Sequence, residues 1–270
     1  MSFAGETIWI TGASSGIGAA LAREWSARGA AVILSGRDEA RLADVAAECA
    51  GETLVLPFEV TDMAALERAT ADAIAWHGRI DGFVANAGIS QRSPAMNTAM
   101  EVYRKIIEVD LTAQIAATQA LLPQMTGQGS GRLLFISSIA GKVGVPMRTA
   151  YCAAKHGLVG YADALRAELS QKGIAVHVVC PGSVATDVSR NALTADGSAR
   201  GRSDRVIDNG IEPAEAARRI LDGVEAGTRE IVVAEGVELA MGEMRRTPDA
   251  LLDQVAAMVA GGYMEKMEAE

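Results

Sequence analysis

Seven short apolar runs, rich in β-branched residues, recur along this 270-residue chain with Ala-rich stretches between them. TIWI (7–10), AAVILS (30–35), ETLVLPF (52–58), IDGFVAN (80–86), GRLLFIS (131–137), IAVHVVC (174–180) and REIVVA (229–234) read as strands. None alternates strictly between apolar and polar residues, so both faces of the sheet are expected to be covered, as in parallel sheets. Helical stretches are expected near 16–28, 38–50, 63–77, 98–126, 150–172 and 213–226. Regular β-α alternation of this kind implies right-handed crossovers and a parallel sheet. The expected fold is therefore α/β: a doubly wound, seven-stranded parallel sheet of Rossmann type, with helices on both faces. Residues 1–235 read as one catalytic domain and 236–270 as a helical C-terminal extension. The segment 182–212 lacks periodicity and follows the sixth strand. A long irregular stretch at the carboxyl edge of an open sheet is expected to meet substrate.

Hydrophobic residues make up 49% of the chain and aromatic residues 4%, so Ala, Val, Leu and Ile must build the core. The net charge of −9 argues against nucleic acid, which calls for a basic footprint. Cys49, Cys152 and Cys180 are far apart and show no metal spacing, and neither do His77, His156 and His177; no metal is expected. The N-terminus lacks the pattern of a signal peptide, and no apolar run approaches the roughly 20 residues of a membrane span. A cytoplasmic protein is expected. In the extension, Leu251, Leu252, Val255, Met258 and Val259 recur at one-face helical spacing, which predicts an amphipathic helix over 249–270 packed on protein.

TGASSGIG (11–18) directly follows the first strand and opens the first helix. Gly12, Gly16 and Gly18 let the backbone turn sharply. The N–H groups of Ser14, Ser15 and Ile17 can then approach a pyrophosphate at the positive end of the helix. A glycine-rich turn alone could also be a plain strand-to-helix connection. The second strand ends LSGRD. Gly36 removes the carboxylate that would accept from a ribose hydroxyl, and Arg37 offers a planar fork suited to a 2′-phosphate, which favours NADP(H). The alternative for Arg37 is a solvated residue ahead of a helix.

Carbonyl reduction needs a hydride at carbon and a proton at oxygen. Tyr151 and Lys155 are four residues apart and share one face of a predicted helix. An ammonium beside a phenol favours the phenolate and suits it to acid–base work near neutral pH. Ser138 ends the fifth strand, thirteen residues before Tyr151, and can hold the substrate oxygen beside it.

TGASSGIG, Asn86-Ala87-Gly88, the Ser138/Tyr151/Lys155 set and Pro181-Gly182 with Thr186 occur in an order that resembles the short-chain dehydrogenase/reductase family over roughly residues 5–235. The stretches NAGISQRS, GKVGVP, YCAAKHGLVG and NALTADGS look like its hydroxysteroid-dehydrogenase-like and carbonyl-reducing members. The resemblance implies that Glu59 and Val60 contact adenine, although the family usually has Asp where Glu59 stands. It implies that Asn86, Ala87 and Gly88 support the sheet beneath the cofactor. It also implies that Pro181, Gly182 and Thr186 line the nicotinamide end. The family places Asn in the long helix before the fifth strand, where its backbone carbonyl holds a relay water; here Asp110 stands in EVDLTAQ. A carboxylate is thus expected near Lys155. The resemblance, with two long Ala-rich helices, also implies a homodimer or homotetramer. The expected activity is hydride exchange between NADP(H) and a carbonyl/alcohol substrate, itself hydrophobic because IAGKVGVPM is apolar. The alternative is a nucleotide-binding regulatory protein with weak or no turnover.

Overall fold

The computed structural model describes residues 3–245 and 248–261. Its elements run β1 (Thr7–Thr11), α1 (Gly16–Ala27), β2 (Ala31–Gly36), α2 (Glu39–Ala47), β3 (Thr53–Pro57), α3 (Met63–His77) and β4 (Gly82–Ala85). They continue with α4 (Met100–Ile107), α5 (Ala113–Gln128), β5 (Gly131–Ile136), α6 (Thr149–Glu168) and β6 (Ile174–Pro181). The chain then forms α7 (Arg205–Asp208), α8 (Pro213–Glu225), β7 (Glu230–Val233), α9 (Gly236–Met244) and α10 (Asp249–Ala260). The seven strands form one parallel sheet in the order β3-β2-β1-β4-β5-β6-β7.

Successive strand residues point to opposite faces, and both faces are packed. Ile8, Ile10, Val32, Leu34, Leu134 and Ile136 face one layer, where Leu21 of α1, Leu42 of α2 and Ile220 of α8 meet them. Trp9, Ile33, Leu133 and Phe135 face the other, against Leu66 of α3, Leu121 of α5 and Leu158 of α6. This two-sided cover explains why the strands are apolar throughout. The sheet order changes direction between β1 and β4, so the crossovers leave a crevice at the carboxyl ends there.

The helix expected near 98–126 runs without a break from Met100 to Gln128, and it carries a π-helical turn, Glu108–Thr112, between α4 and α5. Gln114 Nε2 donates to Val109 O (2.9 Å) and Ala87 O (2.8 Å), and Asp110 Oδ1 accepts from Ile89 N (2.8 Å). These bonds tie the turn to the loop after β4, which a regular α-helix would not reach.

The segment 182–212 is less irregular than its composition suggests. It contains α7 and bridges to neighbouring loops, Gln91 to Leu193 and Val184 to Ile211. Asp204 gathers it: its carboxylate accepts from Arg92 Nε (2.7 Å) and Arg200 Nη1 (2.6 Å), with Arg148 Nη2 at 3.6 Å. Burial alone would raise the Asp204 pKa, but hydrogen bonds from Arg92, Arg200 and Ser189 hold it well below the usual carboxylate range.

In the extension, the α10 backbone lies beside α6. Arg229 Nη1 pairs with Asp253 at 2.6 Å. The expected apolar face, formed by the side chains of Leu251, Leu252, Val255, Met258 and Val259, lies outside the described residues, as does 262–270.

Candidate active site

The glycine-rich turn between β1 and α1 forms a cradle that tolerates no side chain at its base. Gly12 has φ +65°, and a Cβ there would lie 2.8 Å from Ala87 Cα. A Cβ on Gly18 would overlap the Gly12 carbonyl oxygen. Asn86 braces the turn from the end of β4. Its Nδ2 donates to Thr11 O (2.9 Å) and Gly12 O (3.1 Å), while Thr11 Oγ1 accepts from Asn86 N (3.1 Å) and Ala87 N (3.2 Å). The two strand ends on either side of the crevice are thereby locked together, and the turn lines a cavity of about 450 Å³.

That cavity runs along the carboxyl edge of the sheet. At one end it is bounded by Gly12, Ser14, Ser15, Gly16 and Ile17, with Arg37, Glu59 and Val60 beside them. Ala87, Gly88 and Asp110 line its middle; Ser138, Tyr151, Lys155, Pro181 and Gly182 line the far end, and Thr186 comes back against Gly16. Of the residues singled out from the sequence, Gly18 alone lies behind the wall, buried at the start of α1. Arg37 is largely exposed and stands 3.5 Å from Glu59 Oε2.

Lys155 and Tyr151 project from the first turns of α6. Lys155 Nζ donates to Ile136 O (3.0 Å), pairs with Asp110 Oδ2 (3.3 Å) and lies 5.6 Å from the centre of the Tyr151 ring. Asp110 is fully buried and the Lys155 side chain is 5% exposed. Burial opposes the Lys155 charge, but Asp110, and then Tyr151, outweigh it and hold the ammonium above its ordinary pKa. Complete burial holds the Asp110 carboxyl above its own ordinary value, against the pull of Lys155 and Ile89 N. The carboxylate expected near Lys155 is therefore in direct contact with it. Ser138 Oγ accepts from Ala140 N (3.1 Å) and donates to Pro181 O (3.3 Å), which fixes it at the junction of the β5 and β6 ends.

Gln91, Arg92 and Glu238 support the site and carry no local signal in the sequence. The buried Gln91 accepts from Ala150 N at 2.8 Å through Oε1, so it caps α6 one residue before Tyr151. Its Nε2 donates to Ser93 Oγ (3.1 Å) and Thr98 Oγ1 (3.0 Å). Arg92 Nη1 donates to Ser90 Oγ (2.8 Å) on the cavity wall. Glu238 reaches the segment after Gly182 from α9. The histidines take no part: Nδ1 of His77, His156 and His177 faces Thr7 Oγ1, Cys152 O and Thr228 O respectively.

A phosphate cradle at a topological switch point, with a Ser/Tyr/Lys set across the same cavity, is the layout of an oxidoreductase with a nicotinamide dinucleotide. The family model for short chain dehydrogenases matches residues 6–197. The chain is 38% identical over 238 residues to dehydrogenase/reductase SDR family member 7B of Danio rerio, spanning 85% of this chain and 77% of that protein. It is 37% identical over 238 residues to an SDR family protein 7-like dehydrogenase/reductase of Drosophila melanogaster, spanning 86% and 73%. A solved short-chain dehydrogenase from Streptomyces avermitilis superposes with a TM-score of 0.79 at 28% identity, covering 100% of both chains. The chain belongs to the short-chain dehydrogenase/reductase family, whose members use NAD(P)(H). The narrower likeness to hydroxysteroid-dehydrogenase-like members is matched only loosely by these relatives.

Proposed function

We propose that the chain is an NADP(H)-dependent oxidoreductase acting on a carbonyl/alcohol pair of a hydrophobic compound, with Tyr151 as acid and base. The observation that carries this reading is the Tyr151–Lys155–Asp110 constellation in the same cavity as the glycine cradle. The cradle supports a bound dinucleotide because its bases admit backbone alone. Pro181, Gly182 and Thr186 would hold a bound nicotinamide, which would supply the hydride exchanged with the carbonyl or alcohol carbon. Tyr151 Oη gives the matching proton to the carbonyl oxygen, or takes it in the reverse direction. Lys155 Nζ stabilises the phenolate left behind. Ser138 Oγ, already oriented by Ala140 N, steadies the substrate oxygen.

The substrate end favours apolar matter. Ile89, Val184, Val188 and Ile207 line it, and Met147, on the loop before α6, and Val206, on α7, stand exposed nearby. Met147 has φ +64°, a left-handed conformation held by Ser93 N donating to its carbonyl. A panel of ketones and aldehydes with NADPH, followed by cofactor absorbance, tests the reading. Turnover of apolar carbonyls is expected. Cofactor binding without turnover across the panel would favour a regulatory protein.

Arg37 underlies the cofactor preference. It is exposed, so its ion pair with Glu59 is worth little and can be exchanged for a phosphate. A charge-assisted Arg–phosphate contact contributes about 1.5–3 kcal/mol, so NADPH is expected to bind at least about tenfold more tightly than NADH. Quenching of tryptophan fluorescence measures both constants. Arg37→Ala should narrow the gap, and equal affinities in the parent protein would refute it.

We also propose a homodimer or homotetramer, built on the small residues of α5 and α6, which permit close helix approach. Light scattering at micromolar concentration checks this, and a monomer mass would overturn it. The expected location is the cytoplasm; among the described residues no helix is long and apolar enough to cross a membrane.

A further inference from the structure

Helix α9 lies beyond residues 6–197, the stretch matched to the family, yet it touches both sides of the reaction centre. Glu238, in its first turn, spends both carboxylate oxygens on one residue. Oε2 accepts from Ser183 N at 2.7 Å and Oε1 accepts from Ser183 Oγ at 2.9 Å. Ser183 directly follows Pro181-Gly182, and its carbonyl accepts from Ile211 N at 2.9 Å. The fit is close: a Cβ on Gly182 would stand 2.5 Å from Glu238 Oε2. One turn further along the same face, Gly242 packs on Ile139, where a Cβ would lie 2.8 Å from Ile139 Cδ1. Ile139 follows Ser138, whose hydroxyl donates to Pro181 O. A single helix thus holds the Ser138 turn and the segment after β6 in register.

We propose that Glu238 is a positioning residue for the nicotinamide half of the cofactor, acting through Ser183 on the Pro181–Thr186 segment. This rests on the reading of the cavity as a dinucleotide site. Hydrogen bonds to a carboxylate are short and about twice as strong as neutral ones. A segment fixed beforehand does not have to be ordered when ligand arrives, and that saving appears as affinity. Arg37, Glu59 and Val60 at the adenosine end follow β2 and β3, whereas Glu238 bonds to Ser183, and the segment after it meets the cradle through Thr186 beside Gly16.

The two ends can be probed separately by calorimetric titration. NADP⁺ fills both, and adenosine 2′,5′-bisphosphate fills the adenosine end alone. Glu238→Ala is expected to weaken NADP⁺ binding by about tenfold, the loss of two charge-assisted bonds partly replaced by water. Affinity for the bisphosphate should be unchanged. Glu238→Gln keeps the shape but only one acceptor oxygen, so its NADP⁺ affinity should fall between the other two. NADP⁺ affinity unchanged in both variants, or an equal loss for both ligands, would overturn the assignment, the second result being that of a general loosening. A parent protein that binds neither ligand would instead overturn the cofactor reading, and this inference with it.

Discussion

Tyr151→Phe is expected to lower turnover by about 100-fold or more, the usual contribution of a positioned proton donor, while cofactor affinity stays within about twofold. The expectation follows from how little else the substitution removes. Tyr151 packs against the cluster of Val102, Ile106, Ala150, Ala154 and Leu193, and phenylalanine keeps that packing. The start of α6 is held by Gln91 through Ala150 N, a bond that does not involve the phenol. The cradle formed by Gly12 and Gly16 belongs to another element and stays as it was. Proton transfer to the carbonyl oxygen is therefore the function that disappears. Steady-state rates with the best carbonyl of the panel, beside fluorescence titration of NADPH, check both halves. Retention of more than about a tenth of the parent rate would be incompatible with Tyr151 as the proton donor.

The β-α alternation was legible because parallel strands covered on both faces leave continuous apolar runs, and all seven strands occur within about two residues of where those runs place them. The cradle and the Tyr151/Lys155 pair were legible for a related reason: each is a local spacing on one element. Contacts between distant elements leave no such trace. Asp204 draws Arg92, Arg148 and Arg200 together from three segments, and nothing periodic marks any of them. Glu238 meets Ser183 across 55 residues. The π-helical turn at Glu108–Thr112 is likewise hidden, because the apolar pattern of 98–126 satisfies a regular helix and the wider turn is imposed by Ile89, Lys155 and Gln114. Asp110 stood out only as a departure from the family's Asn, and its consequence depends on burial that no local pattern reveals.

That burial makes Lys155→Met a test of the ion pair apart from catalysis. Removing the ammonium leaves Asp110 fully buried, with Ile89 N as its remaining hydrogen-bond donor. Breaking a buried pair by deleting one partner costs about 3–5 kcal/mol, since the remaining charge has lost its compensation. Methionine fills most of the space, so a cavity contributes little. The pH dependence has a definite sign. Asp110 is held above its ordinary value of 3.8 by burial even with Lys155 present, and loss of Lys155 removes the largest opposing influence. A carboxyl whose folded pKa is raised favours the protonated folded state. Its stabilising effect is complete below the unfolded value and fades as pH rises through the folded one. The penalty of Lys155→Met should therefore be small near pH 4 and grow toward neutrality. Adding Asp110→Asn should remove most of it, because an amide needs no counter-ion. Urea unfolding of the parent, the single variant and the double variant, at about pH 5 and about pH 8, measures all three. A penalty that is the same at both pH values, or that persists in the double variant, would mean that the cost comes from lost packing and that Asp110 carries no charge beside Lys155.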